Sequence, residues 1–170
     1  MFNKIGGRAA FDRDMAFVTG GGVGLLPGAP GTWGSAAALI VLLIPVDHRP
    51  WVLLPLIILV FLLSIPSIRR VEERCGPDPG FIVIDEILGM WVALLWPDVY
   101  NGAIWLILLF CFYRIFDIFK IWPLNLLNAR HGAIYVLVDD IAAGLMAAFT
   151  ISILKIGAQI ALFAIFGLSL

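Results

Sequence analysis

Five acids sit where an apolar chain has least reason to keep them. Asp85 and Glu86 interrupt FIVIDEILGMW (81–91), and Asp117 stands between Arg114 and Lys120 in FYRIFDIFKIWP (112–123). Asp139 and Asp140 adjoin in VLVDDIAAGL (136–145). An ionised carboxylate in hydrocarbon costs about 2.5–3.5 kcal/mol on insertion scales. Neighbouring carboxylates also repel unless a cation lies between them. A divalent ion relieves both penalties. Hard oxygen donors suit Mg²⁺, which keeps several waters and is shared between a few carboxylates and a substrate phosphate. The five acids are therefore candidate metal ligands and catalytic groups.

The neighbouring cations fit phosphoryl chemistry. If the helix continues through them, Arg114, Asp117 and Lys120 step by three and share one broad face. Arg114 could then grip a phosphate bidentately and Lys120 could meet it as a point charge. Upstream, PGAPGTWGS (27–35) offers the hydroxyls of Thr32 and Ser35 beside glycine N–H groups at a helix start, a natural anion site. Gly89 and Gly144 follow the two acid pairs, where small residues let helices approach closely.

What must position these groups is a bundle of apolar helices. The chain has 170 residues, enough for a single domain over 1–170, and is 62% hydrophobic and 14% charged. Its mean hydropathy is +1.03. Soluble domains run nearer half apolar and a quarter charged, so this is a membrane composition. The expected fold is all-α and polytopic, with four to five membrane helices: 32–46, 51–68, 80–96, 102–116, and 140–170, the last breaking near Gly157 or lying along the membrane. The turns at 45–50 and 96–101 and a polar loop at 69–80 separate them. Residues 120–135 form a longer connection with an interfacial helix and Trp122 at headgroup level.

Positive loops mark the cytoplasmic side. Lys4, Arg8 and Arg13, then Arg69, Arg70 and Arg74, then Arg114, Lys120 and Arg130 fall on one side, with only Arg49 on the other. The N-terminus is thus expected inside, and all five acids gather at the cytoplasmic ends of the helices. No signal-peptide pattern is present. A net charge of −1 gives no reason to expect a nucleic-acid partner, and Cys75 and Cys111 lie too far apart for a metal-binding CxxC.

Plainer readings exist for each feature. Asp139 and Asp140 suit an N-cap and first turn. Asp85 and Glu86 could snorkel to the interface, and Arg114 and Lys120 could merely set topology. His131 reads as a loop histidine, and GGGVG (20–24) lacks a P-loop ending. Glu72, Glu73 and Asp78 read as solvated loop charges. The sequence has no cysteine-phosphatase loop, and its two histidines, His48 and His131, fall on opposite sides of the expected topology, which leaves metal-activated water as the route to phosphorus.

Four motifs in order, PGAPGTWGS, IDEILGMW, RIFDIFKIWP and VDDIAAG, resemble those of the phosphatidylglycerophosphatase A family over residues about 20 to 146. The family pattern is PGTxGS, DExxGxW, R(I/L)xDxxKxxP and DDxxAG. Many relatives carry a proline where this chain has Ile121. The resemblance implies a Mg²⁺-dependent lipid phosphatase of phospholipid biosynthesis. Its reaction would convert phosphatidylglycerophosphate to phosphatidylglycerol and phosphate at the cytoplasmic face of a bacterial inner membrane. By position, the implied site residues are Thr32, Ser35, Asp85, Glu86, Arg114, Asp117, Lys120, Asp139 and Asp140. The alternatives are another lipid phosphotransferase, which lacks its CDP-alcohol motif here, and a small ion-coupled transporter, which would want its acids near mid-bilayer.

Overall fold

The computed structural model describes residues 11–45, 49–96, 102–120 and 132–167. Helix α1 (Arg13–Val18) starts at Asp12, whose Oδ1 accepts the Met15 N–H at 2.9 Å. Gly20, Gly21 and Gly22 all have positive φ, a run that residues with a Cβ adopt only at a cost, and they turn the chain into a 3₁₀ turn at Val23–Leu25. Helix α2 (Pro30–Ala38) opens with Pro30, whose fixed φ and missing N–H suit a first turn, and tightens into 3₁₀ over Leu39–Leu43. The loose carbonyls at that end are taken up by buried Arg49, whose Nη2 donates to Leu42 O at 3.2 Å and Ile44 O at 2.8 Å.

Helix α3 (Arg49–Cys75) has 27 residues and carries Pro55 and Pro66 inside it. Helices α4 (Ile84–Ala93), α5 (Ala103–Phe119) and α6 (Ala133–Phe166) follow. The described elements are all helical, with no strand among the described residues, which agrees with the expected class. The short helix α4 is the centre of the molecule. Eight of its ten residues are buried, and it packs against α2, α3, α5 and α6. Helix α5 lies mainly on α6, and α1 lies on α3.

The α1–α3 contact is an ionic one at the polar end of α3. Arg70 grips Asp14 with two 2.7 Å hydrogen bonds, and Arg74 pairs with Asp12. The Arg74 hydrogen bond holds the Asp12 carboxyl below its ordinary range, and the Arg70 hydrogen bond does the same for Asp14. Both pairs are at the surface, so they register α1 on α3 more than they stabilise the fold.

Two helices, α3 and α6, are long and apolar enough to cross a membrane. At 1.5 Å per residue, they run about 40 Å and about 50 Å. Much of their apolar surface is uncovered, including Leu59, Leu62 and Leu63 on α3 and Phe149, Ile153 and Ile156 on α6. Exposed apolar area on that scale marks a lipid or protein contact. The other expected spans are shorter as helices. The 32–46 segment becomes α2 and its 3₁₀ extension, 80–96 yields only the ten residues of α4, and 102–116 becomes the 17-residue α5.

Three boundaries differ from expectation. The polar stretch 69–75 continues α3, because nothing breaks the helix before Gly76 and Pro77. Helix α6 begins at Ala133, seven residues earlier than the expected start at 140, because AIYVLV is helical. It also passes through Gly157 unbroken. The expected interfacial helix near Trp122, and His131, lie outside the described residues.

Candidate active site

The acid cluster is built where three helices meet. Asp85 and Glu86 occupy the first turn of α4, where the unpaired N–H groups and helix dipole favour negative charge. Asp140 is the eighth residue of α6. What brings these two elements together is a glycine crossing. A Cβ on Gly144 would overlap the Gly89 carbonyl, and a Cβ on Gly89 would lie 2.5 Å from the Asp140 carbonyl oxygen. Backbone meets backbone there, so the carboxylates on either side are drawn close. One oxygen from each of Asp85, Glu86 and Asp140 lies within 4.8 Å of the others. Asp85 and Asp140 are buried, and Glu86 is half-buried.

The remaining predicted acids separate from this triad. Asp139 and Asp140 are consecutive, so they point about 100° apart around α6. Asp140 faces α4, whereas Asp139 is ion-paired to Lys120. Lys120 is not a further step along α5. The helix stops at Phe119, and Lys120 caps it in the left-handed conformation, φ 46°. That turn directs its ammonium to α6 and not along the Arg114 face. Asp117 lines the same cavity as the triad and accepts from Arg114 Nη1 at 2.6 Å. Arg114 Nη1 also donates to Ser35 Oγ at 3.2 Å, and Ser35 in turn donates to Gly31 O at 2.8 Å.

Gly31 explains why α2 belongs to the site. A Cβ there would overlap Glu86 Oε1 and sit 3.0 Å from Arg114 Nη2. The PGTWGS turn therefore closes over the Glu86 and Arg114 side chains. Thr32 is half-buried on that turn. Among the described residues, Asp85, Glu86, Asp117, Lys120, Asp139 and Asp140 line the cavity, whereas Thr32, Ser35 and Arg114 do not. The cavity has a volume of about 620 Å³, ample for a phosphate and the polar part that carries it.

Sequence reasoning missed three contributors. Glu72 and Asp78, read as solvated loop charges, both line the cavity, and the Asp78 N–H donates to Glu72 Oε1 at 3.2 Å. The signal was present: with α3 running to Cys75, Glu72 lies on its last turn. Tyr113 is fully buried, and its hydroxyl lies 3.1 Å from the Glu86 carbonyl and 3.4 Å from Asp140 Oδ2. Its position four residues before Asp117 places both on one face of α5.

The triad fits a divalent cation on its own geometry. Asp85 Oδ1 and Glu86 Oε2 are buried oxygens with no hydrogen-bond partner. Buried polar atoms left unpaired cost about 1–3 kcal/mol each, more when charged, and an ion would satisfy both. Three hard, anionic donors are what Mg²⁺ takes, with waters completing its shell.

Apolar helices around an acidic cavity flanked by cations define a helical protein of the kind that handles charged headgroups beside lipid. Within that class the chain belongs to the phosphatidylglycerophosphatase A family, whose match covers residues 16–155. It is accordingly an enzyme, a lipid phosphatase. It is 33% identical over 132 residues to phosphatidylglycerophosphatase A of Escherichia coli, covering 76% of each chain. A Haemophilus influenzae protein of the same name is 30% identical over 78% of this chain and 82% of its own. A Bacteroides thetaiotaomicron protein named putative phosphatidylinositol-3-phosphatase is 32% identical over 81% of this chain and 90% of its own. No solved structure matches the chain.

Proposed function

We propose that the chain hydrolyses phosphatidylglycerophosphate to phosphatidylglycerol and phosphate, with Mg²⁺, at the cytoplasmic face of a bacterial inner membrane that it crosses more than once. The observation that carries this reading is the triad of Asp85, Glu86 and Asp140, with two orphaned buried oxygens, opening into a cavity beside Lys120. The family and the two relatives named phosphatidylglycerophosphatase A support the substrate.

Asp85, Glu86 and Asp140 would hold the ion, with Asp117 and Asp139 at the same cavity wall. A bound Mg²⁺ supplies charge neutralisation and Lewis-acid polarisation of a phosphoryl oxygen. The chain's own groups do the rest. Among the described residues Lys120 spends one of its three donors on Asp139, and the others can meet phosphate oxygens entering the cavity. Arg114 steadies Asp117 and, through Ser35, the α2 turn. Positive charge held in place before the reaction stabilises the transition state without reorganisation. A carboxylate not engaged with the ion can accept the proton of the attacking water as its oxygen bonds to phosphorus. The P–O bond to the lipid breaks, and the departing glycerol oxygen takes up a proton.

The acids suit a surface reaction and not passage across the bilayer. Asp140 lies roughly 10 Å from the start of α6 at 1.5 Å per residue, and the 141–166 stretch beyond it, apolar apart from Lys155 and a few small polar residues, is itself long enough to fill a 30 Å hydrocarbon core. A transporter would place its acids nearer the middle of such a span.

The test is phosphate release by purified protein from phosphatidylglycerophosphate, with phosphatidylinositol 3-phosphate and phosphatidic acid alongside. Preference for phosphatidylglycerophosphate, abolished by EDTA and restored by Mg²⁺, is the expected result. The Bacteroides relative makes phosphatidylinositol 3-phosphate the informative competitor. A preference for it would replace the substrate assignment, and EDTA-resistant hydrolysis would end the metal assignment.

A further inference from the structure

We infer that Tyr113 is a positioning residue for the metal site, a buried hydroxyl on α5 that fixes the Asp140 carboxylate and the first turn of α4 in mutual register. The inference rests on the metal-dependent reading above. Three observations carry it. Tyr113 is among the largest fully buried side chains, and its ring sits where α4, α5 and α6 converge. Its hydroxyl stands between the carbonyl of Glu86, at 3.1 Å, and Oδ2 of Asp140, at 3.4 Å, so it touches both helices that carry the triad without itself lining the cavity. The room for it is made by Gly89, where a Cβ would lie 2.6 Å from the hydroxyl oxygen. A phenylalanine would fill the ring's volume equally well. What the hydroxyl adds is a single donor shared between the Glu86 carbonyl and one Asp140 carboxylate oxygen.

The chemistry of that contact is specific. A carboxylate beside an ion can rotate about its χ2, which is a broad torsion. A donor on one oxygen leaves the other to face the ion, and outer-shell partners of this type usually change metal affinity or activity 10–100-fold when removed. Asp140 comes from a different helix than Asp85 and Glu86, and the Tyr113 hydroxyl reaches both helices.

The experiment is Mn²⁺ binding to full-length Tyr113→Phe in detergent, followed by electron paramagnetic resonance without substrate, beside the Mg²⁺ dependence of hydrolysis. Affinity for Mn²⁺ should fall roughly tenfold, and the Mg²⁺ concentration for half-maximal rate should rise in step, with the KM for lipid within about twofold. A tyrosine that only packs would leave metal affinity unchanged, and that result overturns the inference. Replacement of Tyr113 by 4-aminophenylalanine, which restores a donor at the same place, should recover most of the affinity. Phe-like affinity in this variant also overturns it, and the pair remains decisive if Tyr113→Phe folds poorly. Hydrolysis by the parent reports on the phosphatase reading separately. A parent that hydrolyses lipid but binds no Mn²⁺ removes the metal reading and this inference together.

Discussion

The glycine crossing of α4 and α6 makes a prediction with opposite signs at two levels. Gly89→Ala should be favourable by helix propensity, by about 1 kcal/mol. The structure opposes this. The new Cβ would stand 2.5 Å from the Asp140 carbonyl oxygen, whereas ordinary contact begins at 3.4 Å, so the helices must part by about 0.9 Å. The obstacle is backbone, which cannot swing aside as a side-chain tip can. Overpacking of this type costs about 1–3 kcal/mol, so the net effect on stability runs from near zero to about 2 kcal/mol unfavourable. The effect on the site is larger. Parting α4 from α6 carries Asp140 away from Asp85 and Glu86, and Mg²⁺ demands near-ideal octahedral geometry. A misplacement near 1 Å can cost about 100-fold in rate. The assay is phosphate release from phosphatidylglycerophosphate in mixed micelles, with thermal unfolding measured on the same preparation. Gly157→Ala is the control, since a Cβ there meets nothing within 4 Å, and it should leave the rate unchanged. A folded Gly89→Ala protein with activity within a few-fold of the parent would refute the claim that this crossing sets the acid geometry.

Further outcomes follow from the same contacts. Asp85→Asn and Asp140→Asn should each lower phosphate release by at least about 100-fold, the upper end for groups that merely support a metal site, while circular dichroism stays helical. Arg114→Lys loses the planar fork that meets Asp117 and Ser35 together. It should reduce kcat more than it raises the lipid KM, because Arg114 does not line the cavity. The Asp12 and Asp14 carboxyls are held below 3.8 by Arg74 and Arg70. Their contribution is therefore present above the unfolded value and lost as pH falls through the lower folded values. Tryptic cleavage at Arg13 cannot be followed at such pH, so pepsin is the probe: α1 should become more readily cut as pH drops from 4 towards 2, and high salt at neutral pH should have the same effect with trypsin.

The motifs announced the site more clearly than they announced its supports. Asp85 and Glu86 were legible because two carboxylates in an apolar run demand a reason, and Asp140 was legible for the same cause. The division of labour between Asp139 and Asp140 was not, because it depends on where α6 starts. With a start at 140 both look like first-turn acids, and with the observed start at Ala133 they sit deep enough to face different helices. Lys120 shows the same limit. Its spacing from Arg114 and Asp117 suggested one continuous face, but a helix end in the left-handed conformation redirects the side chain, and spacing alone carries no sign of that. Glu72 was misplaced because charge was taken as a loop signal in Arg69–Cys75. Polar residues on a helix that leaves an apolar environment remain helical until a real breaker arrives. Tyr113 was invisible because an aromatic in an apolar run looks like core, and it is core. Only the partners of its hydroxyl set it apart.

Pro55 and Pro66 each deny a hydrogen bond to the carbonyl four residues before them, Trp51 and Leu62. Their separation of eleven residues is about three turns, which returns to within about 20° of the same side. Two softened rungs stacked on one side make α3 a beam that bows in a single plane. Bending at those two points would carry Glu72, on the cavity lining, in the same direction as Arg70 and Arg74, which hold α1.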